Sequence, residues 1–246
     1  MKLGRYLTQL GYGTRREIGW LLELGRIQLA DGTVLTDAQQ TAPAHASLRV
    51  LGEPLDPAPD SVIMLHKPAG HVCSTEDRNP LVYSLMPSRF TRRTPIMSAV
   101  GRLDRDTTGV LLLTDNGPLL HRLTSPKSHV PRTYRAQLAE PMREDTASVF
   151  ASGALMLDGE TKPLAPARVE AIDPLTARVE LTEGRYHQVR RMFAAVGNHV
   201  RELHREQFGP LTLGALAPGE WRVLSANECD ALEHALRGAR AAVRDR

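Results

Sequence analysis

Nine residues, Gly101-Arg102-Leu103-Asp104-Arg105-Asp106-Thr107-Thr108-Gly109, put two carboxylates, two guanidinia and two hydroxyls directly ahead of the apolar run Val110–Leu113. A carboxylate set between arginines can act as a nucleophile or stabilise a developing cation. The same residue types also build a polar turn capped by its own Asp and Thr side chains, and types alone favour the turn. Three more segments carry charge or a reactive group. They are Leu65-His66-Lys67-Pro68-Ala69-Gly70, Arg132-Thr133-Tyr134-Arg135, and Glu183–Met192 (EGRYHQVRRM).

The elements that must position these groups read as α+β. Val62–Leu65 and Val110–Leu113 are apolar enough for buried strands, and Lys67–Gly70 follows the first as a turn. Pro118 suits the first turn of a short helix to Leu123. Thr133–Leu138 is strand-like, and Met142–Gly153 is helical. Arg168–Ala171 and Thr176–Leu181 flank Asp173-Pro174 as a hairpin, and Tyr186–Val196 is a helix stopped by Gly197-Asn198. A last strand, Arg222–Leu224, precedes a last helix, Ala226–Leu236, and a polar tail, 238–246, expected to fray. Interleaved helices and hairpins predict a mixed, mainly antiparallel sheet rather than a doubly wound parallel one.

Ahead of this lies a smaller unit, residues 1–51. Leu3, Leu7 and Leu10 have helical spacing, and Thr14-Arg15-Arg16-Glu17 is a capping box for a second helix bearing Ile18, Leu21 and Leu22. Gly25 is placed to end that helix, and Ile27, Leu29, Asp31-Gly32 and Val34 suggest a tight hairpin. Residues 52–60 (GEPLDPAPD), with three prolines and three acids, read as a linker to a large domain over 61–237.

The chain's 246 residues carry 41% hydrophobic and 24% charged residues, ordinary for a globular protein. Its net charge is +3, but the charge is clustered. From Arg89 to Arg135 there are nine Lys/Arg against three acids, and from Arg185 to Arg205 five Arg against one. Such clusters suit a polyanionic partner or a solvated helix face, and composition weighs the two evenly. Cys73 and Cys229 form no CxxC, so neither a disulfide framework nor a zinc cluster is expected. There is no apolar run of spanning length and no secretory signal, so the expected compartment is the cytoplasm, with no membrane partner.

The loop at 101–109 fits, position for position, the pattern G-R-L-D-x-D-T-[ST]-G of the pseudouridine synthases. It resembles most the branch that acts on small-subunit ribosomal RNA. The resemblance implies that Asp104 is the essential carboxylate and Tyr134 the active-site tyrosine. It implies that Arg190, after Gln188-Val189, pairs with Asp104, that Lys67 shapes the site or touches phosphate, and that Leu203 lines the uracil pocket. Arg102 and Arg105 are expected to hold phosphates beside the target. Lys127, Arg132, Arg185 and Arg191 are expected on the RNA face. The N-terminal unit resembles an S4 RNA-binding domain, which implies RNA contacts for Arg15, Arg16 and Arg26; Ala30-Asp31-Gly32 replaces the usual Val-Asn-Gly there.

The implied activity isomerises one uridine of ribosomal RNA, most closely small-subunit RNA, to pseudouridine, without cofactor or metal, in a monomer. His187, His199 and His204 then have structural or RNA-contact roles. The same chemistry on large-subunit or transfer RNA is the nearest alternative. A non-catalytic assembly factor should have lost Asp104, Tyr134 or Arg190, and none is lost. A glycosidase or metal hydrolase needs a second placed acid or a ligand cluster, and neither is found.

Overall fold

The computed structural model describes the backbone of residues 1–125 and 128–244, with side chains as far as 239. The N-terminal unit holds α1 (Leu3–Gln9), α2 (Arg15–Glu23), β1 (Ile27–Leu29), β2 (Leu48–Val50) and β3 (Glu53–Pro54). Thr14 and Glu17 form the expected capping box: the Glu17 amide donates to Thr14 Oγ1, and the Thr14 amide to Glu17 Oε2 at 2.7 Å. Leu3, Leu7, Ile18, Leu22, Ile27, Leu48 and Val50 bury together as a separate core. The hairpin expected at 27–34 forms: the Leu29 amide donates to the Thr33 carbonyl, the Leu35 amide to the Ile27 carbonyl, and Gln28 bridges Val34. On its other edge β1 pairs along its length with β2. Leu48 and Val50 close the core, which Val34, exposed, does not.

The larger unit begins with β4 (Val62–Lys67), α3 (Arg89–Arg92), β5 (Ser98–Ala99), β6 (Thr107–Thr114), α4 (Gly117–Thr124) and β7 (Arg132–Leu138). It continues with α5 (Thr146–Ala151), β8 (Arg168–Asp173), β9 (Thr176–Leu181) and α6 (Gln188–Ala195). It ends with β10 (Val200–Phe208), β11 (Leu211–Thr212), β12 (Trp221–Val223) and α7 (Ala226–Arg244). The sheet order is β12-β4-β6-β10-β7-β9-β8. Among the named strands of the described residues only the β6–β10 pairing is parallel, so the sheet is mixed and mainly antiparallel. Val62 and Met64 face one cluster, Ile63 and Leu65 another; Val110 and Leu112 divide from Leu111 and Leu113 in the same way. Burial on both faces explains why these strands read as unbroken apolar runs.

Three elements differ from expectation. The helix expected over 142–153 is only α5. The tail expected to fray from Gly238 continues α7 to Arg244. The start of the linker is β3, paired with β2, and its middle is tied to the larger unit. Arg89 grips Asp56 through two nitrogens (2.5 and 2.9 Å) and lies over the Tyr12 ring, while the Tyr12 hydroxyl accepts from the Asp56 amide.

Candidate active site

Asp104 stands on the loop that enters β6, and two anchors hold that loop. Leu103 is buried in the core between sheet and α3. Lys67, at the end of β4 and 0% exposed, donates from Nζ to the carbonyls of Pro68, Arg105 and Thr107 at 2.8–3.0 Å. The Gly70 amide adds a second bond to the Arg105 carbonyl. Burial lowers the Lys67 pKa, opposed by the negative groups nearby. Of the two roles expected of Lys67, these bonds serve the shaping of the site: all three donors are spent inside the protein, tying the turn after β4 to the carboxylate loop.

The loop opens on a cleft of about 1130 Å³. Asp104, 30% exposed, accepts a long bond from Thr107 Oγ1 at 3.5 Å. Tyr134 from β7 and Leu203 from β10 line the same cleft, because β10 sets Leu203 between Thr107 and Ala136. Arg102, Arg105, Arg132, Arg185 and Arg205 also line it, against the acids Asp77, Asp104 and Glu183. Arg102 and Arg105 are exposed, with Arg105 Nε 3.8 Å from Asp106.

The expected Asp104–Arg190 pair is not formed. Arg190 Nη1 donates to the Val200 carbonyl at 2.7 Å, joining α6 to β10, and among the described residues no ion pair connects it to Asp104. The basic group beside Asp104 is His187, whose Nε2 lies 3.5 Å from Oδ1. Sequence reasoning assigned His187 no such place. It depends on a left-handed backbone at the α6 N-cap (φ 49°, ψ 35°), uncommon outside glycine and unsignalled by spacing. Neighbouring bonds hold that turn: buried Gln188 accepts from the Arg185 amide and donates to Glu183, which also accepts from the Ala165 amide. Tyr186, exposed, stacks on the His187 ring at 3.9 Å.

Arg185 and Arg191, expected on the RNA face, both ion-pair with Glu160 at 3.0 Å. They also donate to the carbonyls of Asp158, Lys162 and Pro163. They brace the segment between α5 and β8 onto α6, and only Arg185 lines the cleft. Arg15, Arg16 and Arg26 are exposed on the N-terminal unit outside the cleft, with Arg16 4.7 Å from the Trp20 ring centroid. Lys127 lies outside the described residues. Among the described residues no three His, Cys, Asp or Glu are grouped as metal ligands, and no helix is long and apolar enough to cross a membrane. His204 bonds Thr108 Oγ1 at 2.8 Å and meets the His66 ring edge-on; burial, then His66, lowers its pKa.

A sequence model of the RNA pseudouridylate synthase family matches residues 61–195. The Yersinia pestis protein named ribosomal small subunit pseudouridine synthase A is 41% identical over 231 residues, covering 93% of this chain and 96% of that protein. Its Escherichia coli K12 namesake is 42% identical over 232 residues, covering 93% and 98%. A crystal structure of a pseudouridylate synthase matches with TM-score 0.66 and 34% identity over 94% of this chain and 99% of that one. The family model spans more than half the chain and both relatives align nearly end to end, so this chain belongs to the RNA pseudouridylate synthase family.

Proposed function

We propose that this protein converts a specific uridine of small-subunit ribosomal RNA to pseudouridine, with Asp104 as its catalytic carboxylate. One observation carries the reading: Asp104, Tyr134 and Leu203, from three separate elements, converge in one arginine-rich cleft. The reaction breaks the N1–C1′ bond, turns the base and forms C5–C1′. C5 loses its proton and N1 gains one, so the change is redox-neutral. Asp104 stabilises positive charge at C1′ through a bond or through its field. Tyr134 stacks on the base once it is flipped from the RNA, Leu203 packs against it, and Arg102 and Arg105 hold flanking phosphates. Arg190 acts by position, fixing α6, and with it His187, against β10.

The N-terminal unit serves as an S4-like RNA-binding module, with Arg15, Arg16 and Arg26 outward. The enzyme works in the cytoplasm as a single chain. Small-subunit specificity rests on the names of the relatives. It is tested by incubating the protein with naked and partly assembled small- and large-subunit RNA and mapping pseudouridine chemically. One new pseudouridine confined to small-subunit RNA is expected; product on large-subunit RNA alone would reassign the substrate.

A further inference from the structure

Arg205 was not singled out by its motif, yet it lies in the floor of the cleft. It is 2% exposed, and its Nε donates to the Val110 carbonyl at 2.7 Å. Its Nη2 is buried without a partner. Arg132 lines the same cleft and shares an aromatic neighbour with it: the Arg205 and Arg132 guanidinia sit 5.4 and 5.3 Å from the Phe208 ring centroid. Burial lowers the Arg132 pKa; Tyr134 opposes that and the Arg205 charge adds to it. The nearby acids are engaged elsewhere. Asp104 faces Thr107 and His187, Glu183 faces Gln188 and Arg185, and Glu206 binds Arg135 and Arg178. Among the described residues neither Arg132 nor Arg205 has a carboxylate partner.

A buried guanidinium without a counter-ion, with a half-buried one sharing its aromatic ring, is costly unless something supplies the negative charge. A uracil carbonyl offers only a dipole. A phosphate offers a full charge and paired oxygens that suit the arginine fork. We infer that Arg132 and Arg205 form a clamp for one phosphate adjoining the target uridine, fixing the flipped nucleotide from below while Asp104 acts at its ribose. The inference rests on the pseudouridine synthase reading. The clamp is built by close backbone packing: Gly109 lies opposite Arg205, and any β-carbon there would collide with the Arg205 carbonyl.

The test uses short RNAs carrying the mapped uridine, with a neutral methylphosphonate replacing the phosphate on its 5′ side, its 3′ side, or neither. With wild-type protein, one replacement should lower kcat/KM about 10- to 100-fold. Arg132→Met and Arg205→Lys should be slower on the unmodified RNA, and Arg132→Met should lose little more on that methylphosphonate RNA. Wild-type indifference to both replacements, or losses that multiply in Arg132→Met, would overturn the clamp. The wild-type arm needs no variant to fold. No turnover of the unmodified RNA by the wild type would instead remove the activity on which the clamp depends.

Discussion

Asp104 stands on a loop whose shape is set by Lys67, a residue that does not line the cleft. A buried ammonium bonded to three carbonyls is a fastener. Lys67→Met should strand those carbonyls, lowering stability by roughly 1–3 kcal/mol and kcat more than RNA affinity. Urea unfolding, RNA titration and turnover measured together check this; unchanged kcat would detach Lys67 from the loop's geometry. That Asp104, Tyr134 and Leu203 share one cleft was legible through the family resemblance of their motifs, not from residue types alone. Arg205 and His187 were not. One depends on a parallel pairing between β6 and β10, distant in sequence, the other on a left-handed turn. Arg185 and Arg191 looked like RNA contacts because Glu160, which holds them, lies in a segment that carries no motif.

At the scale of elements, local chemistry predicted what local chemistry decides. The α2 cap was readable from Thr14 and Glu17, and β4 and β6 from their apolar runs. The extents of α5 and α7 and the pairing of β1 with β2 were not, because tertiary packing sets them. A cap went unread at the last helix: Ser225 and Glu228 bond each other's amides, and Arg222 grips Glu228 through both nitrogens. That grip, with the Ser225 bonds, lowers the Glu228 pKa from 4.5 to about 2. A depressed carboxylate stabilises the fold above its unfolded pKa, and the benefit is lost as pH falls. Thermal stability should therefore decline between pH 4.5 and about 2 through this group. Glu228→Gln should melt lower at neutral pH and show a shallower decline in that window; identical slopes would show that Glu228 carries no such linkage.

Across the whole molecule, residues 52–60 read as a linker, and within it Asp56 is a fixed joint. The Arg89 grip and the Tyr12 bond sit on it from opposite units. Proline and acid content signals a linker but not its docking, which requires both partners in place. Asp56→Ala should leave the larger unit folded while loosening the N-terminal unit, so RNA affinity should fall more than kcat at saturating RNA. Binding should also weaken steeply with salt, because arginine–phosphate contacts release counterions. A flat salt response would contradict the basic cleft as the RNA seat.

We propose that Asp104 drives uridine isomerisation in this cleft. Because C5 gives up its hydrogen as C5–C1′ forms, RNA labelled with tritium at uridine C5 reports turnover directly. Wild-type protein should release tritium from small-subunit RNA, and Asp104→Asn should reduce the rate by at least ~10³-fold, about 4 kcal/mol of barrier, while binding the same RNA with similar affinity. Release by Asp104→Asn at a rate near the wild type's would contradict the account.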